Sequence, residues 1–217
     1  MKTKYRLVVA VLGLVSLTAF SGQASAQLKS TSIGCRGSFW HMNDQTNSVH
    51  VSSRWGDESS VHTGGGGGWL ILASRLSDMS WLEVQVGAVG QMDKLETTNY
   101  TREEFEGYVI TPLLFGVRYE FMSPRNRTAL IPYVGFGAGP YWISKVQGHN
   151  DIMEDEVNID TNLKPGGYLG GGMNFRLASW CAFNFDMKYH FIDFDKNYDR
   201  SGFDYGIGMN FYWGQFE

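Results

Sequence analysis

The stretch CAFNFDMKYHF (181–191) constrains the fold more than any other part of the chain. In it Cys181, Phe183, Phe185, Met187, Tyr189 and Phe191 alternate with Ala182, Asn184, Asp186, Lys188 and His190. A helix would scatter the two sets around its axis, whereas a strand sorts them onto opposite faces. The stretch FDYGIGMNFYW (203–213) repeats the pattern, with Phe203, Tyr205, Ile207, Met209, Phe211 and Trp213 opposite Asp204, Gly206, Gly208 and Asn210. In 112–121, Leu113, Phe115, Val117, Tyr119 and Phe121 oppose Gly116, Arg118 and Glu120. In 168–177, Leu169, Met173, Phe175 and Leu177 oppose Gly170, Gly172, Asn174 and Arg176. In 81–89, Leu82, Val84, Val86 and Ala88 oppose Glu83, Gln85 and Gly87. PYVGFGAGPYW (132–142) and two weaker runs, near 33–42 and 64–76, bring the expected strands to eight. From residue 33 onward the period is two, not that of a helix.

The connections sort by length. Short links fall near 77–80, 122–128 and 178–179, and long ones at 43–62, 93–107, 146–162 and 193–202. An up-and-down meander of eight strands has three connections on the side of its termini and four on the other. Here the three are short and the four are long. The expected fold is therefore all-β: an eight-stranded antiparallel up-and-down transmembrane β-barrel, with short periplasmic turns and long extracellular loops. It occupies 27–217 as one domain.

Which face points inward follows from glycine and charge. Gly135, Gly137 and Gly139 stand opposite Val134, Phe136 and Ala138. Glycine weakens an ordinary strand. An eight-strand barrel, however, has an interior just wide enough for side chains, so inward glycine makes room for large neighbours such as Tyr133 and Tyr141. Charges of both signs lie mid-strand on the glycine side: Arg36, Arg75, Glu83, Arg118, Glu120, Arg176, Asp186 and Lys188. Facing lipid, a midplane Arg or Lys costs about 2–4 kcal/mol; facing inward, it can pair. A soluble lipocalin-like barrel, with apolar residues inside, is the alternative this pattern disfavours.

The N-terminus looks exported. Lys2, Lys4 and Arg6 precede an apolar run (7–20), and Ala24-Ser25-Ala26 forms a small-residue cleavage pattern, so 1–26 reads as a signal peptide. Its removal takes the formal charge from −4 to −7, which argues against nucleic acid as a partner. Cys35 and Cys181 both fall on apolar faces and are expected to be unpaired thiols, buried or facing lipid.

The stretches IPYVGFGAGPYW, KPGGYLGGGMNFRLASWCAFNFDMKYHFIDFD and GIGMNFYW resemble small bacterial outer-membrane β-barrels of the OmpA-like and OmpW-like porin superfamily. The resemblance covers most of 33–213 and implies fold far better than activity. The chain departs from it by running on from Trp213 through Gly214-Gln215-Phe216-Glu217, where such proteins usually finish on an aromatic residue. It implies a monomer in the outer membrane of a Gram-negative bacterium. The partners would be outer-membrane lipids, periplasmic chaperones and the assembly machinery. The role expected is structural or surface-interactive, with at most minor pore activity and no cofactor. One alternative is an OmpW-like transporter of small hydrophobic compounds. That would need an apolar lumen, whereas the inward faces read mostly as glycine and charge.

Three residue sets follow. An interior ion-pair network is expected from Glu83, Arg118, Glu120, Arg176, Asp186 and Lys188. Interior glycines are Gly135, Gly137, Gly139, Gly170 and Gly172. Tyr119, Trp142, Phe183, Phe185, Tyr189, Phe211 and Trp213 are expected on the lipid face and its interfacial girdles.

Other chemistry is thinner. The long links hold 16 of the 22 acidic residues against five basic ones. NDIMEDE (150–156) suggests weak divalent-cation binding, but its spacing matches no calcium loop, and no metal site is expected. A lipid-modifying enzyme would pair a serine with His190, placed near the outer rim with Asp193 and Asp195; the nearest later serine, Ser201, lies beyond a loop. GGGGG (64–68) lacks the Lys-Ser/Thr ending of a phosphate loop.

Overall fold

Alternation becomes pairing in the computed structural model, which describes residues 30–43, 48–52, 58–62, 65–98, 102–122, 129–151, 154–192 and 200–214. The strands are β1 (Thr31–Met42), β2 (Ser48–Ser52), β3 (Glu58–His62), β4 (Gly65–Arg75), β5 (Ser80–Thr98), β6 (Arg102–Glu120), β7 (Leu130–Asp151), β8 (Glu154–Ala178), β9 (Cys181–Ile192) and β10 (Gly202–Trp213). β1 and β4 through β10 close a barrel of eight strands, each antiparallel to its neighbours, and β1 pairs with both β4 and β10. β2 and β3 form a separate hairpin within the connection 43–64. The N-terminal segment 1–29 and the last residues, 215–217, lie outside the described residues.

The polarity of the wall is inverted relative to a barrel in water. Leu70, Phe136, Leu169, Phe185 and Ile207 are exposed on the outside, while Arg36, Glu83, Arg118, Glu120, Asp186, Lys188 and Asp204 are buried within. A contiguous apolar exterior of this extent is stable against hydrocarbon, not water. Aromatics gather toward both ends of it. At the end holding the termini, Trp180 stacks on Phe211 at 6.2 Å, and Tyr119 packs edge-on against Phe121 at 5.6 Å. At the other end, Tyr189 packs against Phe191 and Phe203 at 4.8 and 4.9 Å. Trp213 is exposed at the first end. Phe183 and Phe185 are exposed on the wall between the two groups. Trp142 is half-buried and lies within the 22-residue β7, not at a strand end. Cys35 is exposed on the outer wall, Cys181 is buried, and both are free thiols.

The four central strands are longer than expected. β9 joins β8 only as far as Gly166↔Ile192, yet β8 continues back to Glu154 against β7. β4 joins β5 from Gly66↔Gly90, yet β5 continues to Thr98 against β6. The stretches 93–107 and 146–162 are thus not long links but hairpin arms, and β5 to β8 project past the rim as a four-stranded sheet. Beyond the barrel neither lipid nor a packed lumen enforces the apolar–polar alternation that marks a strand, and residues 158–163 are exposed on both faces. Ten acidic residues assigned to long links, among them Asp93, Glu103, Asp151 and Asp160, lie on these arms instead.

Candidate functional site

Inward positions of a closed eight-strand barrel must fill one another's space, and here they stack in layers along the axis. The floor, at the end holding the termini, is Trp81. The guanidinium carbons of Arg75 and Arg118 lie 4.7 and 5.3 Å from its ring, and Tyr212 packs at 5.8 Å. Such cation–π contacts suit a cation already stripped of water.

Above the floor lies a continuous polar network. Arg118 reaches Glu83 at 3.0 Å and Glu120 at 3.6 Å, while Arg75 approaches Glu120 at 3.8 Å. Asn174 donates to Glu120, and Asn184 donates to Asn174 and to the Tyr133 hydroxyl. Tyr133 in turn donates to Asp186 at 3.2 Å. A second centre forms around Arg36, which donates through Nε to Asp186 and through Nη1 to Asp204, each at 2.7 Å. Lys188 sits 3.6 Å from Asp186 and donates to Gln85 at 2.9 Å. Gln85 donates to Glu83 and to the Tyr168 hydroxyl, which ties the two centres together. Buried charge survives in a lumen only when paired and hydrogen-bonded in this way.

Of the six residues expected to form the network, Glu83, Arg118 and Glu120 meet in the first centre, and Asp186 and Lys188 in the second. Arg176 is half-buried on the lumen side at the terminus end of β8, within electrostatic reach of Arg75 and Tyr212. Arg36 and Asp204, which supply the strongest contacts, were not in the expected set. Their signal was present: Arg36 faces inward on β1, and Asp204 has the parity of Gly206 and Asn210 on β10.

The glycines hold these large groups apart. A methyl on Gly137 would stand 2.6 Å from both the Phe115 carbonyl oxygen and Tyr168. One on Gly172 would meet Asp186 at 2.7 Å and the Tyr133 hydroxyl at 2.8 Å, and one on Gly170 would meet Lys188 at 2.7 Å. Gly139 lies against the Leu113 carbonyl, whereas Gly135 has nothing nearer than 3.4 Å. Tyr141, expected beside the β7 glycines, instead lies over Gly166, and Tyr168 occupies the space at Gly137. Gly137→Ala is therefore expected to destabilise the barrel by about 1–3 kcal/mol, read as a lower urea midpoint in lipid vesicles. Adding Tyr168→Ala should not restore the midpoint, because the Phe115 carbonyl is backbone. Gly135→Ala should leave it nearly unchanged, and equal midpoints for Gly137→Ala and Gly135→Ala would contradict this account.

The outer half of the lumen corrects the expectation of glycine and charge. Trp40, Met42, Trp69, Val89, Ile110, Leu114, Tyr141, Tyr168 and Ile192 form a buried apolar cluster there. His190 marks the boundary and lies fully inside, not at the rim. Its ring lies 4.2 Å from Trp40 and 5.5 Å from Trp69. Its Nδ1 faces the Tyr141 hydroxyl at 2.9 Å, and Nε2 lies 3.4 Å from Asp204. Ser201 is engaged elsewhere, its Oγ bonded to the backbone N–H and C=O of Ile192. The histidine thus joins an Asp–His–Tyr chain beneath aromatics, and among the described residues no serine hydroxyl is bonded to it. Asp193 and Asp195 lie outside the described residues, as do the side chains of 150–156. Among the described residues, no group of three or more His, Cys, Asp or Glu could hold a metal ion.

A cavity of about 10 Å³, bounded by Glu83, Arg118, Tyr133, Tyr168, Asp186 and Lys188, has room for about one water. The polar network lies below it and the aromatic layer above, so at this depth the described lumen is filled by side chains.

No protein-family model matches the chain, and no curated protein matches its sequence. Solved structures do match. OprG from Pseudomonas aeruginosa, an outer membrane protein, aligns with a TM-score of 0.53 at 11% identity, covering 86% of this chain and 97% of that one. Ail, the attachment invasion locus protein of Yersinia pestis, aligns at 0.48 and 11% identity, covering 85% and 97%. The N-terminal β-barrel domain of Pseudomonas aeruginosa OprF aligns at 0.46 and 12% identity, covering 85% and 98%. The likeness to OprG is one of fold: this chain has the fold of the small outer-membrane β-barrels.

Proposed function

We propose that the chain is a monomeric barrel of a Gram-negative outer membrane that works through its outer surface and does not conduct. Export by a signal peptide, escort by periplasmic chaperones and insertion by the assembly machinery belong to the same reading. The observation that carries it is the filling of the lumen by paired buried charges, among which a cavity of about 10 Å³ has room for about one water. Reconstituted in planar bilayers, the parent protein is expected to be silent while migrating as a folded, heat-modifiable band. Sustained openings of porin size would overturn the reading.

The apolar outer layer favours a second reading, a barrel that admits small hydrophobic compounds. Trp40, Trp69 and Tyr141 would have to part for entry, because they are closely packed. Quenching of their fluorescence by an apolar ligand, saturable and absent with a polar analogue, would support this reading over the first.

A further inference from the structure

The two layers of the lumen meet at a poorly hydrogen-bonded place. Among the described residues, Trp40 Nε1, His190 Nε2 and Asp204 Oδ1 are buried without a hydrogen-bond partner. The three belong to one cluster. Trp40 stands opposite Asp204 across the β1–β10 seam, and its ring lies 4.2 Å from that of His190. His190 Nε2 lies 3.4 Å from Asp204 Oδ2, which Arg36 already holds at 2.7 Å. A buried polar group left unpaired costs stability that water would restore.

His190 is also a group whose charge changes near neutral pH. Because Nε2 faces a carboxylate, the neutral ring carries its proton there, and Nδ1 accepts from the Tyr141 hydroxyl at 2.9 Å. A second proton, on Nδ1, turns that hydroxyl into the acceptor. Its own hydrogen is then left to the Gly167 carbonyl, 3.3 Å away. The groups that face the ring are Arg36 from β1, Trp69 from β4, Tyr141 from β7, Tyr168 from β8 and Asp204 from β10, with Lys188 on its own strand. Without the added proton, Arg36 and Lys188 balance Asp186 and Asp204; with it, three cations share two carboxylates. The faces of Trp40 and Trp69 attract a cation, but by less than the burial of an uncompensated charge costs.

We propose that His190 is an acid-operated latch: its protonation loosens the layer of Trp40, Trp69 and Tyr141 and lets water down to Asp204. That water solvates the imidazolium and meets the three unpaired atoms at once. The paired charges around Glu83 and Arg118 stay in place beneath, so the outer half of the lumen opens without making a pore. The latch rests on the reading of a barrel closed at neutral pH and adds a second state to it. Because the hydrated ring takes up a proton that the sealed one excludes, acid favours opening, by up to about tenfold per pH unit below about 6.5.

The mature chain, refolded in lipid nanodiscs with 15N-labelled histidine and tryptophan, gives both readouts by NMR. Deuterium exchange of the Trp40 indole N–H, divided by the rate for free tryptophan at the same pH, is expected to rise at least about tenfold from pH 7.5 to pH 5. The ring nitrogens of His190 should report protonation over the same interval. Trp81, equally buried in the floor, should stay protected. His190→Gln, neutral and polar, should keep the heat-modifiable band and abolish the rise. Should that variant not fold, the parent decides: a charged His190 with Trp40 still protected overturns the latch, as does a ring that stays neutral at pH 5. Equal loosening of Trp81 also overturns it, since acid would then be acting on the whole barrel. Bilayer recordings of the same preparation keep the two ideas apart. A silent barrel with Trp40 protected throughout sinks the latch alone, whereas sustained openings at pH 7.5 sink the closed reading beneath it.

Discussion

Replacing Arg36 with methionine is expected to destabilise the folded barrel by about 3–5 kcal/mol, the range found when one partner of a buried ion pair is removed. Arg36 holds two carboxylates at once, Asp186 and Asp204, each at 2.7 Å, and all three side chains are buried. Methionine fills much of the space but leaves Asp186 with Lys188 at 3.6 Å and the Tyr133 hydroxyl at 3.2 Å, and Asp204 with His190 at 3.4 Å. Arg36→Lys should fall between the two, because an ammonium keeps the charge but cannot fork to both partners. Adding Asp204→Asn to the methionine variant should recover part of the loss, since a neutral amide is easier to bury unpaired than a carboxylate. Urea titration in lipid vesicles reads all four proteins. A methionine variant within about 1 kcal/mol of the parent would mean that the lumen admits water freely enough to solvate both acids.

Trp40→Ala is expected to cost about 3–5 kcal/mol as well, by a different mechanism: a large buried ring is lost and a cavity is left behind. Trp40 is fully buried, packs edge-on against Tyr141 at 6.4 Å and covers His190. Its removal also thins the aromatic layer over the polar network. Brief conductance events are therefore expected in bilayer recordings, against the silence expected of the parent. Trp40→Phe should lose less stability and stay closed. If Trp40→Ala were silent and as stable as the parent, the plug would have to reside wholly in the charged layers below.

The strand positions and the inward faces were legible because lipid on one side and packed polar groups on the other force a strict alternation. CAFNFDMKYHF shows this plainly. The two layers of the lumen were harder to read, since alternation reports which side a residue takes and not its depth. Yet on four strands the change runs toward the outer rim: Arg36 gives way to Trp40 and Met42 on β1, Gln85 to Val89 on β5, Arg118 to Leu114 and Ile110 on β6, Lys188 to Ile192 on β9. Setting the strands side by side with their termini ends level would have exposed it. Partner choice was not legible at all, because the register that brings Arg36 to Asp186 depends on how the barrel shears as it closes. The projecting arms were missed because nothing in DKLETTNYTREEFE separates such a strand from a loop.

The place of Arg36 bears on how the barrel assembles. Its two carboxylate partners lie 150 and 168 residues away, on the last two strands, and β1 meets β10 only when the seam shuts. Every other barrel pairing joins strands that follow one another around the wall and can form step by step. Until the seam shuts, Arg36, Asp186 and Asp204 lack one another, and a half-closed sheet cannot take them into hydrocarbon without several kcal/mol of desolvation for each. Entry into the bilayer and closure of the ring are thereby bound into one cooperative event, in which the oldest and youngest strands of the nascent chain clasp across its whole length.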